Sequence, residues 1–189
     1  TVFFDSLKNI YSTVKSQFWT YIFLPLWTIF ISHVIIRTDY ETRFQGITFM
    51  QICIRRGAKQ IGGTAVEFIA STGERMIVDI GQPLDCDCPS PELLPDIMGL
   101  TQKSDDLCGI LISHPHQDHF GLAKFISPEI PVFMGPETHQ LMQVSYQHHL
   151  PDAFVCKNPV IFDGNKPFNI GPFQITPYLV DHSAYGAYA

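Results

Sequence analysis

Residues 112–121 read ISHPHQDHFG and place three histidines and an aspartate within six positions, from His114 to His119. Neutral imidazole nitrogens and carboxylate oxygens are ligands that suit zinc and related divalent ions. Because the four groups lie so close together in sequence, little loop-closure entropy is needed to bring them to one point. The stretch therefore predicts a metal site, whereas a solvated polar turn would be the ordinary interpretation of a single histidine.

The segments on either side of this motif support a site. LCGILIS, which ends directly before His114, is almost wholly apolar and predicts a strand buried on both faces of its sheet. A buried strand that ends at the motif brings the ligands to a sheet edge, where ligand crevices lie in α/β proteins. The segment HFGLAKFI that follows has the apolar spacing of a short helix.

From Met50 onward, short apolar segments alternate with glycine turns. QICIRRG, TAVEFIA and RMIVDIG predict a meander, and residues 82–105 predict a loop with one short helix around PELLPDIMGL. Further strands are predicted for PVFMG, PVIFDG, KPFNIG and FQITPYLVDHS, and a helix opened by Pro136 for PETHQLMQVSYQHHL. Strands dominate, so the predicted fold class is α/β or a layered α+β arrangement.

Residues 1–49 differ in character and are predicted to be an upstream apolar segment, separate from a domain at 50–189. Residues 16–36 carry no formal charge and are about as long as a transmembrane helix. Pro25 and His33 within this run, and the nearly balanced flanking charges, argue against a membrane span. A third interpretation is an upstream extension of the open reading frame, because the first methionine is Met50.

Charge and cysteine usage limit the function classes. The net charge is −6, and 8 of the 12 basic and 15 of the 18 acidic residues follow residue 49, a balance of −7 that disfavours a general binder of phosphate backbones. The five cysteines include no CxxC pair and indicate free thiols in a reducing compartment. We therefore expect a cytoplasmic protein, or a membrane-anchored one if residues 16–36 form a span.

HPHQDH resembles the HxHxDH signature of the metallo-β-lactamase superfamily, and two further segments fit the same family. The superfamily places an Asp at the end of a strand that supports the metal site, and MIVDIG supplies Asp79. It places a third histidine at the end of a later strand, and PYLVDHSAYG supplies His182, 66 residues after His116. IGGTAVEF, VDIGQPLD, ISHPHQDHFGL and VDHSAY resemble the ribonuclease J-like branch, from about Met50 to Ala189.

This resemblance implies the αββα sandwich of the superfamily, of which the chain would carry the first βα half. It implies a first divalent ion, most simply Zn²⁺ with Mn²⁺ or Fe as alternatives, bound by His114, His116 and His182. A second ion would take Asp118 and His119, together with a bridging Asp and a last His that come later in family members. Neither of these has a candidate here, so the two-metal site cannot be assembled from this sequence alone and awaits a missing second half.

The activity that the resemblance implies for the full-length family members is metal-dependent hydrolysis, the chemistry of EC class 3. Asp118 would orient the attacking water or accept its proton, and Asp79 would hold a ligand histidine in place. The resemblance favours a phosphodiester in RNA, while esters, thioesters and lactones stay open as substrates because the fold serves many chemistries. A non-catalytic, metal-binding half-domain is the alternative from another class of function.

One residue departs from the family pattern, and several histidines and cysteines outside the motif are interpreted as non-ligands. The ribonuclease J-like group usually carries an Asp where this chain has Gly186. His139 and the adjacent His148 and His149 are interpreted as capping or solvated side chains of the predicted helix. Cys86 and Cys88 are interpreted as loop cysteines because no second pair lies nearby.

Overall fold

The strand that precedes the histidine motif lies inside a six-stranded mixed sheet. In their order across the sheet, the strands are β2 (Gln51–Arg56), β3 (Ala65–Ile69), β4 (Arg75–Val78), β5 (Leu107–Ile112), β6 (Val132–Met134) and β7 (Pro159–Ile161). A computed structural model describes residues 35–37, 50–86, 89–149 and 156–189. This strand, β5, has all its residues buried except the partly exposed Cys108, as predicted.

The first three strands of this sheet form the predicted antiparallel meander, and β4, β5, β6 and β7 run parallel to one another. Parallel neighbours need crossover connections. The crossover from β5 to β6 contains a short helix, Gln117–Phe120, and a 3₁₀ turn, Ala123–Phe125; the one from β6 to β7 contains a long helix, Pro136–His149. The helix predicted for HFGLAKFI is thus split into two short turns.

The connection from β4 to β5 holds less helix than its sequence suggests. Within PELLPDIMGL, a 3₁₀ turn at Pro91–Leu93 is formed, and Leu94 after it is extended. Leu94 precedes Pro95, and a residue before proline is pushed out of the helical region. The prediction of a loop with one short helical element is confirmed in this reduced form.

A second, three-stranded antiparallel sheet has the order β1-β9-β8, with β1 at Ile35–Arg37, β8 at Phe168–Ile170 and β9 at Phe173–Thr176. Strand β1 pairs with β9 through Ile35 to Arg37. The sheet therefore reaches across the predicted boundary between residues 49 and 50. The rest of the upstream segment, including residues 16–34 of the predicted membrane span, lies outside the described residues, and none of the described helices is long and apolar enough to cross a bilayer.

The alternation of side chains along the strands divides the core into two clusters. Ile77 and Ile110 point to the side of the large sheet where Phe120 and Met142 of the helices are buried. Met76, Val78 and Leu111 point to the opposite side, where they pack with residues of the second sheet: Ile170, Phe173 and Ile175. The order of layers is helices, large sheet, small sheet, and the α/β fold class is confirmed.

Candidate metal centre

The centre begins where β5 ends. Ser113 and His114 follow the strand directly and are both 4% exposed. His116 then caps the short helix Gln117–Phe120, because its carbonyl oxygen accepts hydrogen bonds from the backbone N–H groups of His119 (2.9 Å) and Phe120 (3.2 Å). The motif thus begins directly after β5 and ends in the short helix, which carries Asp118 and His119.

Three histidines form a group suited to a metal ion. His114, His116 and His182 each offer one ring nitrogen, and these nitrogens all lie within 4.8 Å of one another. The Nε2 atoms of His114 and His182 are 3.2 Å apart. Zn–N bonds of about 2.0–2.1 Å in a tetrahedral site imply a separation of about 3.3 Å between ligand nitrogens. The spacing of this pair is therefore compatible with two ligands of one divalent ion.

His182 reaches the group through a hairpin rather than from the end of a strand. The strand predicted for FQITPYLVDHS ends at Thr176, before Pro177, which has no N–H to continue the ladder. Beyond it, Tyr178 and Ala189 exchange backbone hydrogen bonds of 2.9 and 2.8 Å. The Val180 N–H donates to Ala187 (3.0 Å), so His182 lies in the loop that joins the two arms.

One backbone hydrogen bond joins this hairpin to the end of β5. The N–H of Tyr188 donates to the carbonyl oxygen of Ser113 at 3.2 Å. Because Ser113 immediately precedes His114, this contact brings the hairpin that carries His182 beside the first histidine of the motif. Two segments that are far apart in sequence are thus joined directly beside the motif.

Asp79 connects the end of β4 with the motif. Its Oδ1 atom accepts the backbone N–H of Ser113 at 2.8 Å. Its Oδ2 atom lies 2.9 Å from the Ser113 hydroxyl and 2.7 Å from Nδ1 of His119. Asp79 has φ 63°, a left-handed conformation that Asp tolerates better than most residues. The carboxylate thus holds both the strand end and a motif histidine.

The environment shifts two of the histidines in opposite directions. Burial, with the nearby charges of His119, His182 and His116, lowers the pKa of His114 to about 3. His114 is therefore neutral at physiological pH, the form that binds metals. Burial also lowers the pKa of His119, but the hydrogen bond and charge of Asp79 and the charge of Asp118 outweigh it, so that this pKa is raised overall.

Asp118 and His119 lie together beside the three-histidine group. Oδ2 of Asp118 is 3.6 Å from Nε2 of His119, and the centroids of the His119 and His114 rings are 3.9 Å apart. The Asp118 side chain is 24% exposed, whereas that of Asp79 is 3% exposed. Of the two carboxylates, Asp118 is therefore the one that solvent or a substrate can reach.

Main-chain hydrogen bonds lock the helix that carries Asp118 to the loop after β4. Ile80 N–H donates to His119 O (2.7 Å), and Leu122 N–H donates back to Ile80 O (3.0 Å). Gly81 lies so close to this helix that a Cβ there would overlap the carbonyl oxygen of Asp118. The glycine of VDIG is thus needed for the close approach of the two backbones.

Ser113 and Gly81 are residues in contact with the candidate centre that the sequence analysis missed. A serine between an apolar strand and the first ligand, and a glycine two residues after Asp79, were the signals available. Gly186, by contrast, has a structural reason: its φ is 70°, and a Cβ there would overlap the Cβ of Glu137. The other histidines were predicted to be non-ligands, and His139 lies 3.3 Å from Gln143 of its own helix. The His149 side chain and Cys88 lie outside the described residues.

The fold and the site define an α/β protein with a histidine-rich candidate metal centre at the end of a buried strand. No protein-family model matches the chain. The chain is 31% identical to ribonuclease J of Sinorhizobium meliloti over 104 residues, which cover 50% of this chain and 18% of that protein. It is 26% identical to ribonuclease J of Helicobacter pylori over 154 residues, 77% of this chain and 22% of that protein.

A third similarity is to ribonuclease J of Mycolicibacterium smegmatis, 28% identical over 142 residues, 67% of this chain and 25% of that protein. Over this partial coverage the chain is related to ribonuclease J, within the metallo-β-lactamase superfamily, as the motifs predicted. The matches span between 18% and 25% of the length of these relatives.

A solved structure shares the fold. A protein of unknown function from Enterococcus faecalis V583 superimposes with a TM-score of 0.59 at 19% identity, covering 75% of this chain and 40% of that one. At this identity the likeness concerns the fold alone.

Proposed function

We propose that residues 50–189 form the first βα half of a metallo-β-lactamase-type αββα sandwich, and that its metal centre serves in the hydrolysis of phosphodiester bonds in RNA. The observation that carries the proposal is the convergence of His114, His116 and His182, from two distant segments, on one point. The similarity to ribonuclease J proteins supports RNA as the substrate class. A cytoplasmic location is proposed on the same ground.

The three histidines would hold a divalent ion, most simply Zn²⁺. Such an ion lowers the pKa of a water molecule toward neutrality and polarises the bond under attack. His114 suits this role because its low pKa keeps the ring free of a competing proton. The 3.2 Å distance between its Nε2 atom and that of His182 supports a shared divalent ion, and the all-nitrogen ligand set supports Zn²⁺ as the first candidate.

Asp118 would orient the attacking water or accept its proton. Its side chain is 24% exposed, whereas the carboxylate of Asp79 is buried and already hydrogen-bonded to Ser113 and His119. With His119, whose Nε2 atom is 3.6 Å away, it would also contribute two ligands to a second ion. Asp79 would keep the His119 ring in the orientation that directs Nε2 toward that position.

The proposal of a metal site is tested by metal content. We expect the purified 189-residue chain to contain Zn²⁺ in near-equimolar amount by mass spectrometry, with Mn²⁺ and Fe as the measured alternatives. A His114→Ala, His116→Ala double variant should lose the metal, and a His139→Ala variant, which alters a histidine of the long helix, should retain it. Equal metal in the wild type and the double variant would contradict the metal centre.

The proposal of RNA hydrolysis is tested separately. The metal-loaded chain is incubated with a labelled single-stranded RNA and, in parallel, with p-nitrophenyl acetate. Metal-dependent cleavage of the RNA that is lost in an Asp118→Ala variant with its metal content retained supports the proposal. Hydrolysis of the ester alone would replace RNA by a small-molecule substrate. Bound metal with neither activity would favour the non-catalytic, metal-binding alternative.

A further inference from the structure

We propose that Ser113 is a positioning residue of the metal centre, whose hydroxyl group fixes the tautomer of His114. The inference rests on the proposed metal-binding function and adds a residue to it. Ser113 Oγ lies 2.9 Å from Oδ2 of Asp79 and 2.9 Å from Nδ1 of His114, so that it joins the two side chains. Its third neighbour, Nδ1 of His119, is farther away, at 3.3 Å.

The number of available protons decides the direction of these hydrogen bonds. An ionised carboxylate accepts hydrogen bonds and donates none, and a serine hydroxyl has one proton to donate. The Ser113 hydroxyl therefore donates its proton to Oδ2 of Asp79, 2.9 Å away. The oxygen can then only accept from His114, and the proton of that ring must lie on Nδ1.

A hydrogen bond donated in the opposite direction, from Ser113 to His114, would be unfavourable. If Ser113 donated to His114, its oxygen lone pairs would face Oδ2 of Asp79 at 2.9 Å without a proton between them. The three side chains are buried, with Ser113 and His114 4% and Asp79 2% exposed, so that water cannot easily relieve the contact. An unsatisfied polar group at such a position costs about 1–3 kcal/mol.

The consequence for the metal centre lies on the other side of the ring. With the proton on Nδ1, the Nε2 atom of His114 presents its lone pair toward Nε2 of His182, 3.2 Å away. A metal-ligating histidine is commonly oriented by a hydrogen bond from its other nitrogen, often to a carboxylate. Here the serine hydroxyl stands between the histidine and the carboxylate, and Asp79 acts on His114 through Ser113.

The test uses the 189-residue chain and three variants. Ser113→Ala removes the hydroxyl, Ser113→Thr retains it, and Ser127→Ala removes a buried serine that lies in another loop and is 7% exposed. Two-bond proton–nitrogen NMR correlations of the imidazoles in metal-free protein report the tautomer of His114, assigned with a His114→Gln variant. Competition with a chromophoric chelator reports Zn²⁺ affinity, and far-UV circular dichroism reports folding.

We expect the Nδ1–H tautomer for His114 in the wild type and in Ser113→Thr, and its loss in Ser113→Ala. Zn²⁺ affinity should fall about tenfold or more in Ser113→Ala, the usual effect of removing a group that orients a ligand, and stay nearly unchanged in Ser127→Ala. An Nε2–H tautomer in the wild type, or an unchanged tautomer and affinity in folded Ser113→Ala, would overturn the proposal.

The two readouts separate this inference from the proposed function. If the wild type binds no Zn²⁺, the metal-binding function fails, whereas the tautomer of His114 still decides the role of Ser113. If Ser113→Ala does not fold, the wild-type tautomer together with the affinity of Ser113→Thr decides the outcome. A threonine variant that folds but loses the Nδ1–H tautomer contradicts the hydroxyl as its cause.

Discussion

Replacing Arg75 by methionine should destabilise the fold by about 3 kcal/mol while leaving the metal centre intact. The Arg75 guanidinium contacts Glu67 (2.7 Å), Asp106 (2.7 Å), the Met98 carbonyl (2.8 Å) and the Ser104 hydroxyl (3.1 Å). It is 7% exposed, and Glu67 is 0% exposed. The contacts tie the start of β4 to β3 and to the loop that precedes β5.

The magnitude follows from the burial of Glu67. Removing one partner of a buried ion pair costs about 3–5 kcal/mol, because a charge is left without compensation. Glu67 keeps a second partner, since Arg55 also pairs with it, but the Arg55 side chain is 37% exposed. A partly exposed pair contributes about 0–1 kcal/mol, so we expect a loss near the lower end of the range.

Urea unfolding followed by circular dichroism measures this loss as the change in the free energy of unfolding. Lys166→Met is the matched control, because the Lys166–Asp163 pair, 2.8 Å long, is 77% and 47% exposed, and its removal should cost less than about 1 kcal/mol. An Arg75→Met, Glu67→Gln double variant should recover part of the loss, because the buried charge is then also removed.

Two results would refute the reasoning. One is an Arg75→Met variant that loses no more stability than Lys166→Met. The other is a folded Arg75→Met variant with strongly reduced Zn²⁺ affinity, because the ion pair lies at the opposite end of β4 from Asp79. A variant already unfolded without urea counts as a loss at least as large as the whole stability of the wild type.

Three further predictions concern acid stability and two glycines. Hydrogen bonds from its arginine and serine neighbours lower the pKa of Asp106 to about 2. The contribution of this carboxylate to stability is therefore present above about pH 4 and is lost as the pH falls toward 2. Asp106→Asn should flatten this part of an acid-unfolding curve. Gly81→Ala should lower both stability and Zn²⁺ affinity because it displaces the Asp118 backbone. Gly73→Ala is the control: Gly73 has φ 100° and open space around it, so this variant should lower stability alone. Equal Zn²⁺ affinities of the two variants in calorimetric titrations would contradict the role of Gly81. Gly186→Asp should lose at least about 1 kcal/mol in thermal unfolding and gain no hydrolytic activity, because a non-glycine residue is strained in that left-handed conformation.

The elements next to the motif could be predicted from the sequence because their apolar patterns are local. LCGILIS is apolar up to its final serine and forms β5 over Leu107–Ile112, and the meander before it follows from its glycine turns. Pro136 opens the long helix as expected. A pattern of this kind gives the type of an element and which of its faces is buried.

Features that depend on contacts between distant segments could not be predicted in this way. The pairing of β1 with β9 joins residues about 140 positions apart, which no local pattern encodes. The hairpin that carries His182 is held by backbone hydrogen bonds, for which side-chain types give little signal. The hydrogen bonds of Ser113 depend on the positions of both Asp79 and His114. The serine alone, seen in the sequence, therefore gave no reason to predict a role for its hydroxyl group.

The reciprocal backbone hydrogen bonds between Ile80 and the helix that carries His119 have a thermodynamic consequence for ion binding. The two segments order each other during folding, and the conformational entropy of both is lost at that stage. An ion bound at the proposed centre would meet the ligands of the motif already in place, and little of its binding free energy would be consumed in ordering this part of the protein. In amide hydrogen exchange, Ile80 and Leu122 should then be protected to a similar degree with and without metal.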